Sequence, residues 1–224
     1  MIIVGAVIVL LIFLVVGWAV ATEMFQQRTW RNRVRSGDTD IIGALIEEAL
    51  NQWRRSRPPK ELPSSLWAGV QGAQLVAVTA ASATLSAAAE ASFRTENGAR
   101  TQVASALDES IALASKLIDM MLYDVPNLRL GSVRVDIYST FAGADGTPVQ
   151  QPIVSSTAHR AIADELPWES LTPAEILGRF ETIYQAGEAG RPVAITLPPI
   201  EGALPRPAEE AAAELQGEQL KDND

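Results

Sequence analysis

The chain has 224 residues, no cysteine and a formal net charge of −9. That length fits one ordinary domain with appendages. The missing thiols exclude disulfides, thiolate zinc sites, iron–sulfur clusters and cysteine nucleophiles. The charge is divided: residues 1–60 carry eight Lys/Arg against five Asp/Glu, and residues 61–224 carry ten against twenty-two. An acidic body argues against nucleic acid as a partner, because phosphate contacts need Lys/Arg.

Ile2 to Thr22 is an uncharged run of twenty-one residues, fourteen of them Ile, Leu, Val or Phe. At ~1.5 Å per helical residue it spans a bilayer core, and its apolar side chains contribute about −4 to −8 kcal/mol to insertion. A cleavable signal is the competing reading, but it would want a basic start and a shorter core. Residues 1–24 are therefore expected to be a single transmembrane anchor, and 25–38 a basic juxtamembrane linker. Arg28, Arg31, Arg33 and Arg35 follow the span and no Lys or Arg precedes it. Basic flanks stay cytoplasmic, which predicts an N-terminus outside and a cytoplasmic body.

Asp38 or Thr39 offers an N-cap for an amphipathic helix from Asp40 to Ser56. Ile41, Ile42, Leu45, Ile46, Leu50 and Trp53, with Ala49, fall on one stripe. It has three possible destinations: the domain's own core, a partner helix, or the membrane interface. Its width and apolarity make it the candidate interaction face. A second basic cluster, Arg54, Arg55, Arg57 and Lys60, follows it and would suit the interface.

From Pro63 the Ala-, Leu- and Ser-rich sequence predicts two long helices, 65–96 and 99–124, broken at Asn97-Gly98 and folded as a hairpin. One continuous rod is the alternative. Residues 65–89 carry no charge, so a second membrane span is a further alternative, placing the C-terminal body outside. Gln71, Gln74 and several hydroxyls weigh against it, since each would bury a polar group needing a partner.

Past Pro126, "SVRVDIYSTF" alternates like a half-buried strand and "VQQPIVSS" returns as a second. Thr172-Pro173-Ala174-Glu175 is a capping box opening a helix that Gly187 could end. Val193, Ile195 and Leu197 predict a third strand. The expected fold is thus mainly α: a helical region at 39–128, a small α+β module at 129–199 and a disordered acidic tail at 200–224.

Catalytic signals are weak. His159 is the only histidine, and Ser155 and Ser156 precede it without a nucleophile elbow. Asp136, Asp164, Glu165, Glu169 and Glu175 cluster in sequence and could bind a divalent ion or act as acid and base, but solvated and capping roles explain them more simply. Trp168 is expected to pack on the capped helix. No phosphate-binding glycine loop is present. No cofactor, metal site or enzyme activity is expected. The leading reading is a membrane-anchored interaction or scaffold protein that associates with itself or another protein through helix packing. An accessory subunit of a larger membrane complex, and an enzyme using the carboxylates of 129–199, are the alternatives.

Overall fold

A computed structural model describes residues 38–96, 98–143, 145–187 and 191–202. The chain divides at Asp38 into two units, and the description concerns the second, from Thr39. The run expected to be an anchor, the four arginines after it and the sequence beyond residue 202 lie outside the described residues. Among those described, no helix is long and apolar enough to cross a membrane.

Thr39–Arg55 forms α1 and Ser64–Gln71 forms α2. Four strands follow: β1 (Gln74–Val78), β2 (Ser82–Ala88), β3 (Ser92–Glu96) and β4 (Ala99–Ala104). Then come α3 (Ala106–Tyr123), β5 (Ser132–Ala142), β6 (Pro148–His159), the short helices α4 (Arg160–Ala163) and α5 (Pro173–Leu177), and β7 (Glu181–Tyr184). The main sheet has the order β1-β2-β5-β6-β7, with β2 parallel to β5 and its other pairs antiparallel. Strands β3 and β4 form a separate two-stranded ribbon.

The mainly helical expectation is therefore overturned: the fold is mixed α/β, with five helices, a five-stranded mixed sheet and a hairpin among the described residues. The first of the two long helices does not exist. Only Ser64–Gln71 is helical, and residues 74–104 are strands. Residues 65–89 accordingly form a two-turn helix and two strands, which removes the second-span alternative for them. The physical reason lies in "SATLSAA", where Ser82, Thr84 and Ser86 alternate with the buried Ala83, Leu85 and Ala87. That period of two belongs to a strand, although alanine-rich composition favours helix. Gly98, at φ +81°, lies between the paired strands β3 and β4 rather than at a break between helices. The Asn-Gly dipeptide is a strong hairpin signal for this reason.

The helix expected near 99–124 shortens to Ala106–Tyr123. Ser105 accepts the Asp108 N–H at 3.1 Å and Asp108 Oδ2 accepts the Ser105 N–H, a reciprocal cap. Ser105→Ala should destabilise the domain by about 1 kcal/mol in chemical denaturation.

The β5–β6 hairpin appears where alternation placed it, but β5 also pairs with β2, so one sheet joins residues 74–88 to 132–184. The Thr172–Glu175 capping box is present with Pro173 at the first helical position, yet α5 ends at Leu177. Residues 181–184, expected to be helical, form the edge strand β7. The third strand expected at 193–197 is absent; only an isolated bridge, Ala186 to Pro192, forms there.

One face of the sheet carries the core. Leu85, Val133, Val135, Ile137, Val154 and Ala158 are buried with Leu113, Leu117, Ile118 and Met121 of α3. Helix α3 packs on β5 and β6, while α1 packs on β1 and α2. Close packing requires Gly69: a Cβ there would lie 2.6 Å from Leu113 Cδ2. Arg160 locks the far end, donating to Leu130 O at 2.7 Å and to Leu122 O in the last turn of α3. A cation there also complements the negative end of the helix.

Candidate functional site

Two places concentrate chemistry: the polar face of the sheet and a groove on the helix side.

Strand register builds the first in rows. Thr84, Arg134, Thr157 and Glu181 are successive partners across β2, β5, β6 and β7, beside Ser86, Asp136 and Ser155 on one side and Ser82, Ser132 and His159 on the other. Arg134 and Asp136, which alternation alone would put in solvent, are buried. The covering is the chain after β7, where Ile195 is buried and donates its N–H to Pro152 O at 2.9 Å. Further on, Pro199 O accepts from Arg134 Nη1 at 3.0 Å. This strap completes the burial of a charged network: Arg134 Nε donates to Asp136 Oδ1 at 2.9 Å, and Ser155 Oγ donates to the same oxygen at 2.6 Å. Arg134 Nη2 is buried without a hydrogen-bond partner.

A cavity of about 340 Å³ lies against this row, lined by Thr84, Arg134, Thr157, His159, Glu181 and Pro199 among others. Glu181 and Glu201 outnumber Arg134 in its lining, so it lacks the excess positive charge of an anion site. The Ser/His pairing also fails. Ser155 is committed to Asp136, and Ser156 shares a 2.8 Å hydrogen bond with Thr182. His159 is half exposed, its Nε2 3.7 Å from Glu181 Oε1. Four residue steps of extended chain put it roughly 13 Å from Ser155 along the strand, too far for proton transfer.

The second place is a groove of about 740 Å³ between α2, α3 and the segment carrying α4 and α5. Leu62, Leu66, Ala112, Ile176 and Trp168 give it an apolar lining, and Lys116, Asp119, Asp164 and Glu169 give it charge. Trp168 does more than pack on the following helix. It sits in a short 3-10 turn, Trp168–Ser170, and donates from Nε1 to Ala163 O at 2.9 Å. Its ring meets Tyr123 edge-on at 5.9 Å and Phe180 at 6.1 Å. Tyr123 donates to Asp164 Oδ1 at 3.0 Å. Burial, then Asp164, raises the Tyr123 pKa above its ordinary value, so the hydroxyl remains a donor at neutral pH.

The groove contains no nucleophile–base pair. Lys116 is held by Asp119 at 2.7 Å, and Asp164 is flanked by Arg160 and Arg129 at 3.8 and 3.9 Å. The five carboxylates close in sequence do not converge: Asp136 lies on the polar sheet face, Asp164 and Glu169 line the groove, Glu165 is exposed outside its lining, and Glu175 caps α5. No group of three potential metal-ligating side chains forms among the described residues. Glu175 is instead held below its ordinary pKa by the Thr172 N–H and hydroxyl. Its cap is therefore complete above the ordinary carboxylate pKa and is lost as pH falls through the depressed one. Glu175→Gln should remove that part of the acid dependence of unfolding, measured between pH 3 and 6.

The stripe assigned to interaction is occupied by the domain itself. Ile41, Ile42, Ile46, Leu50 and Trp53 are buried and Leu45 is half-buried. Of the three destinations open to it, the domain's own core accounts for that burial. Sequence patterning does not show the groove, because its walls come from residues 62 to 176 and are brought together only by the tertiary fold; Trp168, Asp164 and Glu169 are the candidate residues that line it. Comparisons with protein-family models, with curated proteins and with solved structures find no match for this chain.

Proposed function

We propose that this chain is a membrane-anchored interaction protein. In this reading Ile2–Thr22 spans the bilayer, the arginines after it keep the body cytoplasmic, and the α/β domain binds a partner protein in the groove beside α3. The observation that carries it is the groove itself: an apolar floor with Trp168 at its wall and charge at its rim. Protein interfaces concentrate their binding energy in such aromatic-bearing, desolvated pockets inside a polar surround. The lack of a converging nucleophile, base or metal cluster among the described residues leaves binding as the chemistry that this surface supports.

The cysteine-free sequence makes the test direct. Ala112→Cys in the groove and Gln150→Cys, an exposed residue of β6, each accept a photoactivated crosslinker in the full-length, membrane-inserted protein. Discrete protein adducts are expected from position 112 and not from 150, and Trp168→Ala should reduce them several-fold. An adduct of twice the chain mass identifies self-association, and any other mass identifies a different subunit. Identical patterns from both positions, or none from 112, would overturn the reading.

A further inference from the structure

We infer that the loop after α1 is a docking surface for anionic lipid headgroups of the membrane in which the chain is anchored. Residues 39–202 carry twelve Lys/Arg against nineteen Asp/Glu, yet four of those cations, Arg54, Arg55, Arg57 and Lys60, fall within seven residues containing no acid. All four are exposed. The end of α1 accounts for two of them, because Arg54 and Arg55 complement the helix dipole. It does not account for Arg57 and Lys60, which lie beyond the last turn. The side chains of Arg55, Arg57 and Lys60 make no hydrogen bond or ion pair with another described residue.

The loop is also built to hold its shape. Gln71 Nε2 donates to both Arg54 O and Ser56 O at 3.1 Å, and Trp67 Nε1 donates to Ser56 O at 3.4 Å. Ser56 Oγ donates to Trp53 O at 2.9 Å, and Arg54 Nη2 donates to Ala73 O at 2.8 Å. Two consecutive prolines, Pro58 and Pro59, stiffen the approach to Lys60. A fixed loop loses little conformational entropy when its cations meet a surface. On an otherwise acidic domain, this cluster attracts an anionic bilayer, which the acidic surface elsewhere on the domain repels. The attractions of neighbouring cations to an anionic bilayer add, so the cluster acts as a unit.

The inference rests on the membrane-anchored reading, and its test separates the two. Full-length protein carrying Ser56→Cys, labelled with an environment-sensitive dye, is reconstituted in nanodiscs of neutral phosphatidylcholine or of phosphatidylcholine with phosphatidylserine. The anionic discs should quench aqueous collisional access to the dye about tenfold relative to neutral discs, and 0.5 M salt should abolish the difference. The triple variant Arg55→Gln, Arg57→Gln, Lys60→Gln should lose it with unchanged circular dichroism. If the chain fails to enter discs at all, the anchor reading falls and takes the inference with it. If it enters but the dye ignores lipid charge, the inference alone is overturned. Protection in neutral discs that disappears when residues 203–224 are deleted assigns the cluster to the chain's own acidic tail, and that also overturns it.

Discussion

Asp136→Ala is expected to destabilise the domain by about 3–5 kcal/mol, because it leaves the Arg134 guanidinium buried beneath the strap without a counter-charge. The carboxylate is 2 % exposed and the arginine side chain 10 %, so water cannot replace the lost partner without displacing structure. Ser155 Oγ also loses its acceptor. Arg134 has only Pro199 O left, and a carbonyl cannot neutralise a full charge. The paired replacement Arg134→Met with Asp136→Leu should recover most of the loss, since a buried ion pair exchanged for apolar groups of similar size is often close to neutral. Urea denaturation of the detergent-solubilised full chain, followed by tryptophan fluorescence, measures both. A single variant as stable as the parent would show that the strap does not seal the network. Gly202→Ala probes the same seal from its far end. Gly202 has φ +111°, and a Cβ there would lie 2.6 Å from Val78 O, so the substitution should loosen the strap while leaving the ion pair intact.

That network shows why part of the fold could be read from the chain and part could not. In "SVRVDIYSTF" the alternation identified a strand and put Val133, Val135 and Ile137 on the buried face. Arg134 and Asp136 fell on the other face, which a two-layer protein ordinarily gives to water. Their burial depends on residues 191–202 returning across the sheet, and no local pattern encodes a crossing made by proline-rich, nearly irregular chain. The Ala- and Ser-rich stretch from 74 to 104 failed for a different reason. Its helix propensity is real, but Leu85 and its flanking alanines require a period of two to reach the core, and tertiary burial outweighs a few tenths of a kcal/mol per residue. Capping residues marked α5 more reliably than apolar ones did, because Thr172 and Glu175 satisfy each other's backbone locally and depend on nothing distant. The groove joins residues more than a hundred positions apart, so the sequence shows only one wall of it, Asp164, Trp168 and Glu169 beside the capped helix.

Ile46→Ala is expected to cost about 2–5 kcal/mol, the range for removing a large aliphatic side chain from a packed interior. Ile46 is fully enclosed, as Ile42 and Leu50 nearly are, and α1 packs on β1 and α2. Were this stripe a docking face for another protein, the isolated domain would tolerate its truncation and only binding would suffer. Leu45 supplies the internal control: half-buried on the same helix, it should lose appreciably less on truncation to alanine. A large loss at 46, a small one at 45 and unchanged crosslinking from the groove in Leu45→Ala would together place α1 in the core and the binding surface beside α3. Equal and minor losses at both positions would return the stripe to the surface, and the groove would then have a competitor for the partner.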